Sequence, residues 1–96
     1  MQSALEQLQG IKQLLQEMSS DSAFSGLNCR KVLTMVTEFT DHGLNVIARG
    51  NTRAVTDGAK EMLSFMNAHG NWFPLDMADQ GRSQDLRSRL QQFAAS

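Results

Sequence analysis

The sequence is poor in several kinds of residue, and each shortage excludes a class of protein. It contains one cysteine, one proline, one tryptophan and no tyrosine. A lone cysteine, Cys29, cannot form an internal disulfide, so the chain is no disulfide-stapled secreted scaffold and we expect a reducing, cytoplasmic location. No run of about 18 apolar residues is present, and the N-terminus lacks the basic and apolar regions of a signal peptide. We therefore expect neither a membrane-spanning segment nor an export signal.

An excess of charge of one sign is missing as well. Nine Lys and Arg stand against ten Asp and Glu, and the net charge of −1 provides no broad field to attract nucleic acid or an anionic membrane. The hydrophobic share of 41% is typical of a folded chain, and 96 residues suit a single thin core. We expect one domain that spans residues 1–96.

The apolar residues recur at the three-and-four spacing of amphipathic helices. The first helix follows Ser3, which forms a capping-box pattern with Glu6. In the last helix, Leu86, Leu90 and Phe93 share one face. The predicted helices span about 3–18, 28–49, 52–69 and 83–95.

The second and third helices are joined by a very short connection and should form an antiparallel hairpin. Gly50 predicts a left-handed stop to the second helix, and Asn51 or Thr52 can cap the third. Small residues on the two helices would let their backbones approach closely: Gly43, Ala54, Gly58 and Ala59. The predicted fold is an all-α, four-helix single domain with a central antiparallel helical hairpin, completed by dimerisation.

The segment between the third and last helices carries the densest apolar cluster of the chain. Trp72, Phe73, Pro74, Leu75 and Met77 fall within 71–81, where the proline forbids an ordinary helix interior and indicates a loop. Two interpretations stay open at this point. The aromatic residues either cap the open end of the bundle or face a partner.

Residues suited to catalysis or metal binding are few. His42, His69 and Cys29 are the only soft ligands, and no two of them have one-turn helical spacing. Cys29 shares an apolar stripe with Val32 and Val36, which indicates a structural thiol. The glycines match neither the P-loop nor the dinucleotide-binding pattern. We expect no enzyme activity, no metal and no cofactor.

Binding of another protein is the favoured function. Met35 lies on the far side of the second helix from Val32 and Val36, so this helix has apolar residues on two sides. Burial on both sides is most simply achieved in a twofold homodimer. Aromatic and methionine side chains anchor interfaces. The residues predicted to form the partner-binding surface are Met35, Phe39, Trp72, Phe73 and Leu75.

Two segments resemble small all-helical quorum-sensing anti-activators. They are Asn28–Val36, with the sequence NCRKVLTMV, and Ile47–Ala54, with the sequence IARGNTRA. The resemblance implies a protein partner, the ligand-binding half of a LuxR-type transcriptional activator, whose dimerisation would be blocked. It adds a direction to the hypothesis of protein binding.

Three functions of different kinds follow from these observations. The first is a regulatory protein that antagonises a larger partner, such as a transcriptional activator, by covering the surface through which the partner dimerises. The second is a secretion or assembly chaperone that shields a helix in a groove. The third is a DNA-binding regulator that uses the basic turn from Arg49 to Arg53, for which the flanking helices look too long.

Overall fold

The computed structural model describes residues 2–96, which form five α-helices and no strand. The helices are α1 (Ala4–Ser20), α2 (Leu27–Ala48), α3 (Thr52–Ala68), α4 (Trp72–Ala78) and α5 (Gln80–Ala94), with a 3-10 turn at Ser22–Phe24. The predicted all-α fold is confirmed for this part of the chain. None of these helices is both long enough and apolar enough to cross a membrane.

Local side-chain chemistry sets the helix ends. Ser3 Oγ accepts a hydrogen bond from the backbone N–H of Glu6, and the Glu6 carboxylate accepts one from the backbone N–H of Ser3, each at 3.2 Å. Gly50 (φ +91°) and Gly70 (φ +64°) follow α2 and α3 in the left-handed region that other residues rarely adopt. Asn51 caps α3, because its Oδ1 accepts a hydrogen bond from the N–H of Ala54 at 3.3 Å. The predicted capping box and the predicted stop at Gly50 are confirmed.

The prediction of a loop over residues 71–81 is wrong, because most of this segment is helical. Pro74 is the third residue of α4, where the backbone N–H has no intrahelical partner and its loss costs no hydrogen bond. A proline is unfavourable in the interior of a helix, but it is therefore compatible with the first turn of a helix that begins just before it. The fold has one helix more than the four predicted.

The start of the last helix also differs from the prediction. The helix begins at Gln80 and not at the predicted residue 83, because Asp79 is the cap of α5, and Asp79 Oδ1 accepts a hydrogen bond from the N–H of Arg82 at 3.2 Å. Ser83 lies one turn inside the helix, where it is fully buried. Its hydroxyl donates to Asp76 Oδ1 at 2.6 Å, which satisfies this buried group.

All five helices and the 3-10 turn contribute buried side chains to one core, and α1 packs against α5 within it. α1 contacts α2 along its other side, α3 packs most extensively on α5, and α4 closes one end of the bundle against α5 and α2. The hairpin of α2 and α3 is present, but the contacts between these two helices are less extensive than those of α2 with α1 and those of α3 with α5. The largest fully buried side chains are Leu8, Ile11, Leu15, Met18, Phe24, Leu33, Val36, Met66, Leu75, Leu86, Leu90 and Phe93.

The Arg82 side chain holds the 3-10 turn between α1 and α2 in place. The Arg82 guanidinium lies 4.9 Å from the centre of the buried Phe24 ring, and it pairs with Asp21 at 2.7 Å and with Asp79 at 2.9 Å. The N–H of Ala23 and the Arg82 side chain lower the pKa of Asp21. The backbone N–H and then the side chain of Arg82 lower the pKa of Asp79. These contacts tie the 3-10 turn to the start of α5.

The single tryptophan belongs to the core. Trp72 is 4% exposed, and the Arg87 guanidinium lies 5.4 Å from the centre of its ring. Within residues 2–96 its indole N–H has no hydrogen-bond partner. Burial of an unpaired donor costs about 1–3 kcal/mol, so packing of the large ring outweighs this loss.

Candidate functional site

The five residues predicted for the partner-binding surface do not lie on one surface. Trp72 and Leu75 are buried beneath α4, as expected if this cluster caps the bundle, and Phe73 lies on the outer face of the same helix with 67% of its surface exposed. Met35 and Phe39 are half-buried on one face of α2. The structure therefore brings together only Met35 and Phe39.

Phe39 forms part of an apolar groove between α2 and α3. The two helices run antiparallel, with Gly43 opposite Val55 and Phe39 opposite Gly58. The groove has a volume of about 220 Å³. It is lined by Phe39, His42, Gly43, Val46, Ala54, Val55 and Gly58.

Small residues create this groove in two different ways. At Gly43 a Cβ atom would lie 2.8 Å from Val55 Cγ1 and 3.0 Å from Leu8 Cδ2, so glycine permits close packing at the floor. Across the groove, Ala54 is exposed, and a Cβ atom at Gly58 would lie 3.3 Å from Phe39 Cε1, so the Phe39 ring packs closely on the backbone of α3 at this point. The small residues that the sequence suggested for close approach thus also leave an open apolar site.

The apolar surface continues beyond the groove itself. Phe65 falls on the same stripe of α3 as Ala54 and Gly58 and is 48% exposed, with its ring stacked on His69 at 4.1 Å. On α2, Met35 precedes Phe39 by one turn. The surface formed by the groove together with Met35 and Phe65 is called the α2–α3 face below.

Charged residues lie on the exposed surface of α2 and α3. Glu38 on α2 and Asp57 and Glu61 on α3 are exposed. Asp57 is paired with Arg53 at 3.5 Å and Lys60 at 3.8 Å. Glu38 and Glu61 have no ion-pair partner in the part of the chain that the structure describes. Lys31 on α2 is exposed as well, so α2 and α3 present charges of both signs beside their apolar residues.

The sequence contained a signal for the residues that were missed. Ala54, Gly58 and Phe65 recur at helical spacing on the side of α3 that does not enter the core. Val46 extends the stripe of Met35 and Phe39 on α2. Two such stripes on helices joined by a tight turn indicate a shared apolar surface, but whether that surface is closed or forms a groove depends on how the helices pack.

A second group of exposed apolar side chains lies away from the groove. Phe73 and Met77 are one turn apart on α4, and Met77 is 72% exposed. Leu27, at the start of α2, is 71% exposed. These residues add to the apolar surface that the fold leaves open.

The histidines and the cysteine do not converge. Cys29 is buried, and its thiol donates to the carbonyl oxygen of Pro74 at 3.4 Å. His42 lies on the wall of the groove, and His69 ends α3 with its Nδ1 2.9 Å from the carbonyl oxygen of Phe65. Over residues 2–96, no three His, Cys, Asp or Glu side chains form a group that could hold a metal ion.

The chain matches no protein-family model, no curated protein and no solved structure.

Proposed function

We propose that the chain is a regulatory binding protein that takes a helix of a larger protein onto its α2–α3 face. The observation that carries this proposal is the open apolar groove beside Phe39, together with the exposed ring of Phe65 about two turns further along the same stripe of α3. A groove between two helices is a common receptor for an amphipathic helix, and apolar surfaces of this kind mark interaction sites. Aromatic side chains are frequent anchors of such interfaces.

The regulatory effect follows from mass action. A protein that covers the dimerisation surface of a transcriptional activator removes activator monomers from their own equilibrium, in proportion to its concentration. The resemblance to quorum-sensing anti-activators motivates this choice of partner. A cytoplasmic location belongs to the proposal, since the free thiol of Cys29 suits a reducing compartment.

A homodimer is the second part of the proposal. Phe73 and Met77 give α4 an exposed apolar face, and a twofold axis next to this helix would bury it against its own copy. The partner and the second copy would then occupy different surfaces. Each surface can be altered without the other.

The test compares two phenylalanine substitutions in affinity capture from the native lysate. We expect the wild-type chain and Phe73→Glu to capture a transcriptional regulator in stoichiometric amount, and Phe65→Glu to lose it. Mass spectrometry identifies the captured protein, and circular dichroism checks that helix content is unchanged. Equal capture by Phe65→Glu would contradict the proposal.

The same variants test the homodimer. Light scattering during size-exclusion chromatography should give the mass of a dimer for the wild-type chain and for Phe65→Glu, and that of a monomer for Phe73→Glu. A monomeric wild-type chain would remove the dimer from the proposal and leave the groove untouched.

A further inference from the structure

The methionines within residues 2–96 differ in their access to solvent. Met18 and Met66 are fully buried, and Met35 and Met62 are half-buried against the core. Met77 is 72% exposed. A dissolved oxidant must reach the thioether sulfur before it can react, so access decides which methionine is oxidised first. Among the residues that the structure describes, that methionine is Met77.

Met77 lies on the outer face of α4. Trp72 and Leu75 are buried on the side of this helix that packs on the bundle, whereas Phe73 and Met77 are exposed on the other side. Phe73 and Met77 are four residues apart, so their side chains are neighbours on the helix surface. They give the outer face of α4 an apolar character.

Contacts at other positions hold α4 on the bundle. The thiol of Cys29 donates a hydrogen bond to the carbonyl oxygen of Pro74 at 3.4 Å. Asp76 accepts a hydrogen bond from the buried hydroxyl of Ser83 at 2.6 Å. A chemical change of the Met77 side chain therefore alters the outer face of α4 and leaves these contacts in place.

Hydrogen peroxide makes such a change to an exposed methionine. A lone pair on the thioether sulfur attacks one peroxide oxygen, the O–O bond breaks, and that oxygen stays on the sulfur as a sulfoxide while the other leaves as water. The sulfur loses two electrons and the peroxide gains them. A sulfoxide oxygen is a polar acceptor, and its burial without a hydrogen-bond donor is unfavourable.

From these observations we propose that Met77 is an oxidation site through which peroxide controls self-association of the chain along α4. The inference rests on the homodimer of the proposed function. In the reduced chain, the thioether extends the apolar surface of Phe73 that pairs with a second copy. In the oxidised chain, the sulfoxide puts a polar group at the same place, and the dimer dissociates. Reduction of the sulfoxide restores the apolar face.

The dimer in turn protects the sulfur. Met77 lies in the interface, so peroxide reaches it mainly in the monomer. We expect the oxidation of Met77 to be slower at protein concentrations above the dissociation constant of the dimer than below it. Equal rates at the two concentrations would place Met77 outside the interface and overturn the inference.

The first experiment measures which methionine reacts. The full chain is mixed with hydrogen peroxide, the reaction is stopped with catalase, and peptide mass spectrometry with fragmentation gives the sulfoxide fraction at each position. At a protein concentration below the dissociation constant, we expect Met77 to react at least about fivefold faster than Met35 or Met62, which are half-buried. Similar rates at the three positions would contradict the assignment of the site.

The second experiment measures self-association by light scattering during size-exclusion chromatography. Oxidation should raise the dissociation constant of the wild-type dimer at least about tenfold, and a methionine sulfoxide reductase should reverse the effect. Met77→Leu keeps an apolar side chain without sulfur, so it should form the dimer both before and after peroxide treatment. Met77→Gln places a polar side chain of similar length there and should weaken the dimer without peroxide.

Two further variants exclude other targets of peroxide. Cys29→Ala removes the thiol, which is buried and which peroxide can also oxidise. Met35→Leu removes a half-buried thioether on α2 and is the matched control for Met77→Leu. Both variants should respond to peroxide like the wild type. Circular dichroism checks that helix content is unchanged in each variant and after oxidation.

The outcomes separate this inference from the proposed function. A wild-type dimer that survives complete oxidation of Met77 would overturn the inference alone, and the proposed homodimer would stand. Dissociation that peroxide also produces in Met77→Leu would assign the effect to another residue and likewise overturn only the inference. A chain that is monomeric before oxidation would remove the dimer from the proposed function and the inference with it.

Discussion

Two helical glycines with different surroundings show what single residues contribute to this fold. Gly10 lies in the interior of α1, where an added Cβ would be in ordinary contact with Arg89 Nη1 at 3.7 Å. Gly43 lies in the interior of α2, where the same atom would meet Val55 at 2.8 Å. Backbone propensity favours alanine at both sites, but only one site has room for it.

We therefore expect alanine to have opposite effects at these positions. Gly10→Ala should raise the free energy of unfolding by up to about 1 kcal/mol through helix propensity. Gly43→Ala should lower it by about 1–3 kcal/mol, because α3 and Leu8 must shift. Urea denaturation followed by circular dichroism measures both. A Gly43→Ala chain as stable as the wild type would show that the helices separate at little cost.

Residue-scale features differ in how well the sequence predicts them. Gly50 and the Ser3–Glu6 capping box were predicted because their interactions lie within three or four residues. The sequence does not determine whether Trp72 and Leu75 are buried, because their burial depends on contacts with α5 and α2, which involve residues distant in sequence. Apolar character alone does not distinguish a core residue from an anchor of an interface.

At the scale of elements, Arg82 links two connections that would otherwise be separate. Its ion pairs with Asp21 and Asp79 join the 3-10 turn to the cap of α5. Both carboxyl groups have a pKa below the ordinary value in the folded chain. Their contribution to stability is therefore present above about pH 4 and is lost as the pH falls through the lowered pKa values.

Substitution of Arg82 should reduce this acid sensitivity. We expect Arg82→Gln to be less stable than the wild type at neutral pH, because both ion pairs are removed, and to lose less stability below about pH 4 for the same reason. Some acid sensitivity should remain, since the backbone hydrogen bonds to both carboxylates are unchanged. Arg53→Gln, which removes an exposed pair within α3, should leave the pH dependence unchanged. Thermal unfolding across this pH range makes the comparison. Parallel curves for wild type and Arg82→Gln would refute the role of the pairs.

Helix prediction succeeded where the pattern was long and failed where it was short. Three of the predicted helices begin and end within two residues of α1, α2 and α3. α4 has seven residues and two turns, too few to establish a period, and Pro74 concealed it. The fourth predicted helix began at 83 instead of Gln80, since Asp79 offered the same capping chemistry as Ser83.

For the molecule as a whole, the two ends of the chain share one core. α1 packs along α5, and Leu90 and Phe93 of α5 are fully buried. Both α1 and α5 must therefore be present before the core can form. Closure of the core depends on contacts that are distant in sequence.

This packing predicts an all-or-none response to truncation. A chain that ends at residue 88 lacks Leu90 and Phe93 and should lose its cooperative thermal transition, because removal of one buried Leu or Phe side chain alone costs about 2–5 kcal/mol. A chain without Ala95 and Ser96, which are exposed, should unfold like the wild type. Circular dichroism during heating distinguishes the two. A sharp transition in the shorter chain would show that the other helices form a core without the end of α5.

The α2–α3 face could not be predicted at this scale from the pattern alone. The small residues Ala54 and Gly58 indicate either close packing or an empty site, and only the placement of α3 against α5 decides which. Met35 and Phe39 were predicted for the partner-binding surface, and both are half-buried against the edge of the core. Their neighbours across the groove, Ala54 and Gly58, were not part of that prediction.

The position of Trp72 makes the protein its own spectroscopic reporter. The chain contains no tyrosine, so intrinsic emission in the near ultraviolet comes almost entirely from one indole. That indole is buried under α4 and has no hydrogen-bond partner within residues 2–96, so its emission should lie towards the blue and move to the red when α4 detaches. Trp72 does not line the groove, so a helix bound there should leave the emission almost unchanged. Fluorescence would then report on the integrity of the bundle while remaining silent to occupancy of the groove.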